Sequence, residues 1–133
     1  MSASWLKWLL LVAAAWNIIG GASALLDPSQ HFAQLYSGSL NLGDPIQLFF
    51  YRCTWINVIG WGLAYLLAAL RPAMCMPVLI AGAIGKTAYF AASFALFSSG
   101  LGNRLLLAAG GFDLVLAALF LFAALWPRKA AAA

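Results

Sequence analysis

The stretch PVLIAGAIGKTAYFAASFALFSSGLGNRLLLAAGGFDLVLAALFLFAALW, residues 77–126, decides how this chain folds. It holds two long apolar runs joined by a short turn around Gly100–Asn103. Each run reaches the length of about 20 residues that a helix needs to cross a bilayer. One charge lies deep in each run, Lys86 in the first and Asp113 in the second. On antiparallel helices rising 1.5 Å per residue, both sit roughly 20 Å from the turn. They therefore share one depth near the bilayer midplane. A charge at that depth is expensive, so two opposite charges at one level are expected to meet and to mark a functional site.

Two further apolar runs precede this pair. The four spans are read as Trp5–Leu26, Pro45–Leu70, Pro77–Ser98 and Asn103–Trp126. The punctuation agrees with them. Asp44-Pro45 places an N-cap before a proline at the first helical position. Arg71-Pro72 closes the second span, Pro77 opens the third and Ser99-Gly100 ends it. Asn103 caps the fourth, and Trp126-Pro127 ends it. The later connections are short, which makes the last three spans sequential antiparallel neighbours. The expected fold is all-α: one domain, residues 1–133, forming an up-down transmembrane four-helix bundle. In the loop from Asp27 to Asp44, Asp27-Pro28 repeats the cap-then-proline start, and Phe32, Leu35 and Tyr36 follow at helical spacing. A short interfacial helix is expected there, over the mouth of the bundle. The first run also resembles a signal peptide, with Lys7 ahead of it and Ala22-Ser23-Ala24 at its end. Its length and its internal Asn17 favour a true span.

Composition supports lipid as the solvent. Of 133 residues, 65% are hydrophobic and 8% charged, against about 25% charged in a soluble domain. The net charge of +4 is scattered near span ends, with no basic patch or arginine–aromatic run, so nucleic acid is not an expected partner. Cys53 and Cys75 fall toward opposite ends of the second span, too far apart to pair within one chain, and read as buried, inert thiols. His31 is the only histidine and lies in the first loop, so it is read as a solvated loop residue. No ligand set for a metal, haem or other cofactor is legible, and none is expected.

The flanks set orientation. With both termini on one side, that side carries Lys7, Arg71, Arg128 and Lys129, and the other carries Arg104 with Asp27, Asp44 and His31. The positive-inside rule then puts both termini in the cytoplasm. Arg52 lies just inside the second span beside Phe49, Phe50 and Tyr51. It reads first as an arginine snorkelling to the outer interface, and alternatively as one turned inward to bind an anionic headgroup.

Asn17 and Asn57 form a second tier of polar residues near mid-depth of their spans. Small residues at three- and four-residue spacing flank several of these positions: Ala13, Ala14, Gly20 and Gly21 around Asn17, and Ala109 and Gly110 beside Asp113. Such residues mark faces where membrane helices pack closely. Lys86, Asp113, Asn17 and Asn57 are therefore expected to converge on the bundle axis as one polar layer. Trp16, Trp55, Trp61, Tyr65 and Tyr89 are expected to wall a pocket above or around it. The competing view is structural, with the ion pair and amides locking helix register. Apolar packing is usually more stable than a buried pair, so stability alone explains the layer poorly.

The order of features resembles the small four-helix DoxX-like membrane proteins. The matching residues are Asn17, Gly20 and Gly21, then Arg52, Gly60 and Gly62, then Gly82, Gly85 and Lys86, and finally Asp113-Leu114-Val115 and Phe120. The resemblance implies a membrane subunit, in some members of an oxidoreductase complex, but this chain lacks cysteine pairs and haem ligands for a redox role of its own. The expected function is a non-enzymatic subunit, or a lipid- or small-ligand-binding module, in a bacterial inner membrane. Its expected partners are membrane lipids, other membrane subunits or further copies of itself. The expected site comprises Lys86, Asp113, Asn17, Asn57, Arg52, Trp61 and Tyr89. The alternatives are an oligomeric small-solute or proton-coupled transporter, and an intramembrane enzyme on a lipid-like substrate with Asp113 as acid or base and Lys86 as electrostatic stabiliser.

Overall fold

The computed structural model describes residues 3–125. The expected helix end at Trp126-Pro127 and the flanking Arg128 and Lys129 lie outside them. Five α-helices follow in order: α1 (Ala3–Leu26), α2 (Pro28–Leu35), α3 (Pro45–Leu70), α4 (Cys75–Ser98) and α5 (Arg104–Leu125). A 3-10 turn over Pro72–Met74 leads into α4. Four of these, α1, α3, α4 and α5, are long and apolar enough to cross a membrane, which makes the chain a small polytopic membrane protein.

The caps work as their residue types dictate. The Asp44 carboxylate accepts from the Ile46 and Gln47 amides at 2.9 and 3.2 Å, and Pro45 fills the position where no N–H is needed. Asp27 caps α2 by accepting from Gln30 at 3.0 Å. Asn103 caps α5 through Leu105 and Leu106 at 3.0 and 3.2 Å. At the end of α4, Gly100 takes φ 76°, a left-handed conformation suited to glycine at a helix terminus. The third span begins at Cys75, two residues before the proline read as its start. Pro77 is accommodated in the first turn, where its missing N–H breaks no helical bond.

The helices associate as two tight pairs. α1 packs along α3, and α4 along α5, while contact between the pairs is sparse. The expected sequential neighbours α3 and α4 therefore touch only lightly. Glycines set the first pairing. A Cβ at Gly62 would stand 2.6 Å from Ile18 Cγ1 and 3.1 Å from the Ala14 carbonyl oxygen, and one at Gly21 would stand 2.5 Å from Ile59 Cγ1. The two backbones can approach this closely only without side chains at those points, as membrane helix pairs often do.

Packing is uneven along the bundle. Toward the start of α1 and the end of α5, the two pairs close on each other around Leu10, Ala13, Tyr65, Leu79, Leu116 and Phe120. Toward the other end, a separate cluster of Ala24, Leu35, Leu40, Tyr51, Trp55 and Leu106 forms beneath α2. α2 is strapped to the α4–α5 turn. The Ser37 amide donates to Leu101 O at 2.8 Å, the Asn103 amide donates to Leu35 O at 3.0 Å, and the Asn103 side chain donates to Gln34 O.

Candidate functional site

Between the two helix pairs, from α2 past mid-depth to the level of Val12, Tyr65 and Gly82, lies a cavity of about 720 Å³. Ligand pockets commonly measure roughly 300–1,000 Å³.

Its wall at mid-depth, the floor of the part beneath α2, is polar. Lys86 on α4 forms an ion pair with Asp113 Oδ1 on α5, and its ammonium also donates to Asn17 Oδ1 on α1 at 3.1 Å. The Asn17 amide nitrogen in turn donates to the Val58 carbonyl of α3 at 3.4 Å. One chain of hydrogen bonds thus ties all four long helices at a single level. The Lys86 ammonium stands 5.6 Å from the centre of the Tyr65 ring, within cation–π range. An ammonium has three N–H donors and a carboxylate about four acceptor positions. The two protein bonds to Lys86 therefore leave one donor, and Asp113 keeps acceptor capacity.

The walls are aromatic. Trp16, Trp55, Trp61, Tyr65 and Tyr89 all line the cavity, joined by Phe112. Trp16 and Phe112 meet across the space between α1 and α5, with ring centres 4.6 Å apart. The roof is α2, which contributes His31, Gln34 and Leu35. His31 Nδ1 lies 2.9 Å from the Tyr51 hydroxyl, and its ring stands edge-on to Trp55 with centres 4.4 Å apart. Partial burial pushes the His31 pKa below the usual imidazole value and the Tyr36 phenol upward, because both charged forms lose hydration.

Lys86, Asp113 and Asn17 come together as their spacing implied, and Trp61 and Tyr89 face the same space. Asn57 does not join them. It lies on the outer surface of α3, and its side chain makes no hydrogen bond to any described residue. The inward face of α3 runs through Tyr51, Trp55, Gly62, Tyr65 and Ala68, and one residue of helix turns a side chain by about 100°. The contribution of α3 to the polar floor is instead the backbone carbonyl of Val58. Arg52 is also on the outside, so it is not an inward anion-binding residue. It sits next to Tyr51 of the inner face and points away from it. Cys53 is exposed rather than buried, whereas Cys75 is buried at the start of α4 rather than at the end of the second span.

His31 is the residue that sequence reasoning missed. It is part of the roof and not a solvated loop side chain. Its spacing of four from Leu35, on a helix already expected from Asp27-Pro28, was the available signal. Among the described residues, no group of three His, Cys, Asp or Glu side chains is placed to hold a metal ion. No protein-family model matches this chain, and no curated protein or solved structure matches it.

Proposed function

We propose that this chain is a non-enzymatic membrane module that holds a small amphipathic ligand between its two helix pairs. The cavity carries the reading: an aromatic-walled space of about 720 Å³ with a Lys–Asp–Asn cluster on its wall at mid-membrane depth. A register lock needs the ion pair but not the empty volume beside it. Four helices without a nucleophile–base arrangement offer little for catalysis. The same reading places the protein in a bacterial inner membrane with cytoplasmic termini, as a DoxX-like module able to serve a larger membrane assembly.

Native mass spectrometry of protein extracted directly from membranes tests this. The wild type should carry one small lipid-like adduct. Lys86→Met combined with Asp113→Leu makes the floor apolar without stranding a charge, so the fold should survive while the adduct is lost. A folded wild type without an adduct, or an adduct indifferent to the double substitution, contradicts the proposal.

A further inference from the structure

The floor and the open side of the cavity narrow the ligand further, on the footing of the module reading above. Lys86 and Asp113 form a pair of opposite charges, so the floor carries no net charge for a head group to neutralise. A sulfate or phosphate head would confront the Asp113 carboxylate, and an ammonium head would confront Lys86. A buried charge left without its own partner is strongly disfavoured. The groups that remain available are an N–H of Lys86, which can only donate, and oxygen acceptor positions of Asp113, which can only accept. Of the two side chains, Asp113 is the more open, 11% exposed against 5% for Lys86. A head that engages both must donate and accept from nearly one point, as a hydroxyl does.

Volume limits the body of the ligand. At about 30 Å³ per water-sized group, 720 Å³ holds roughly two dozen heavy atoms. That suits one alkyl chain or a fused ring system held inside, whereas the two acyl chains of a phospholipid would extend out through the open side.

The way in is sideways. α1 and α5 barely touch, and their cavity-lining residues also face outward: Ile19 is 68% exposed, Leu105 52% and Phe112 37%. Trp16 and Phe112 are the ring pair that bridges this gap. The opposite end is covered by α2 and its hydrogen bonds to the α4–α5 turn. An apolar body therefore reaches the floor through lipid-facing side chains and not through the roof.

We infer that the cavity takes a neutral, hydroxyl-headed, single-chain or ring-bodied lipid from the surrounding bilayer, laterally between α1 and α5, with the hydroxyl bridging Lys86 and Asp113. The full chain in phosphatidylcholine nanodiscs is exposed to hexadecan-1-ol, its methyl ether, hexadecyl sulfate and hexadecyltrimethylammonium. Each probe carries a diazirine in the chain, and labelled residues are mapped by mass spectrometry. The alcohol should label cavity residues about tenfold more than the sulfate or the ammonium, and more than the ether, which lacks the donor for Asp113. Equal labelling by the four heads, or preference for a charged head, overturns the assignment of the head while leaving a ligand-holding cavity in place. Failure of every probe to label the cavity defeats the module reading itself. Ala15→Trp and, separately, Ile19→Trp crowd the gap without touching the floor, and each should slow the approach of alcohol labelling to its plateau. A time course identical to wild type in both overturns the lateral route.

Discussion

The two halves of this bundle are built from the same four helices and differ in what fills the space between them. In the half nearer the start of α1 and the end of α5, Leu79 and Phe120 are completely buried and the helix pairs interlock. In the half beneath α2, Ile19 and Leu105 remain more than half exposed while lining a cavity. Lipid tails are as apolar as leucine, so close packing rather than escape from water holds membrane helices together. A half that forgoes such contacts gives up stability, which is what the proposed occupant of its aromatic-lined, polar-floored space would offset. On the proposed function, the packed half carries the fold and the hollow half carries the site.

The boundary between the halves should be the most sensitive place. Lys86→Met alone strands the Asp113 carboxylate in the interior and should destabilise by about 3–5 kcal/mol. The double variant with Asp113→Leu should recover most of that in detergent unfolding. The exchanged pair, Lys86→Asp with Asp113→Lys, should recover part. Equal stability of wild type and both single variants would remove the ion pair from the account.

Truncation should then separate the halves. Leu79→Ala leaves a void in close-packed surroundings and should cost about 2–5 kcal/mol. Leu105→Ala removes the same atoms from a half-exposed position that lines the cavity and should cost under about 1 kcal/mol. Comparable losses at the two positions would show that the cavity is not hollow in the membrane. Gly62→Ala should fall between them, at about 1–3 kcal/mol, because its Cβ meets Ile18 and the Ala14 carbonyl. Thermal unfolding of the three variants in one detergent ranks them.

The smallest effect belongs to the roof. His31→Ala removes one hydrogen bond to Tyr51 and an edge-on contact with Trp55, worth about 1 kcal/mol, and should loosen α2 alone. Burial lowers the His31 pKa from 6.5. The docked state therefore binds fewer protons than the undocked one, and docking weakens as pH falls below 6.5 toward the depressed value. Asp27, one turn earlier, and the Tyr36, Tyr51 and Trp55 side chains are the other groups around this ring. Amide protection in Pro28–Leu35, with exchange corrected for its intrinsic pH dependence, should fall between pH 7.5 and pH 5 in the wild type, with no such trend in His31→Phe.

These contrasts were only partly legible in the sequence. The four spans, the Asp27, Asp44 and Asn103 caps, and the depth of Lys86 and Asp113 could be read because length, capping chemistry and isolated charges leave direct marks. Asn17 could be placed by its small neighbours. Which face of α3 looks inward could not be read, because an apolar interior and an apolar solvent leave the long helices nearly uniform around their circumference. Asn57 was assigned to the core for that reason. The acceptor used instead, the Val58 carbonyl, is backbone and leaves no trace in residue type. The loose contact between helix pairs, and with it the cavity, depends on how Gly21 and Gly62 draw α1 onto α3, a preference of partner that glycine content alone does not reveal.

Filling the hollow half tests the central claim most directly. Gly20 and Gly85 both line the cavity, and a Cβ at either meets nothing within 4 Å. The combined variant Gly20→Leu/Gly85→Leu should unfold at a temperature equal to or above that of the wild type and should lose the small-molecule adduct in native mass spectra. A variant of unchanged stability that keeps its adduct would place the ligand elsewhere and contradict the division of the bundle into a half that folds and a half that binds.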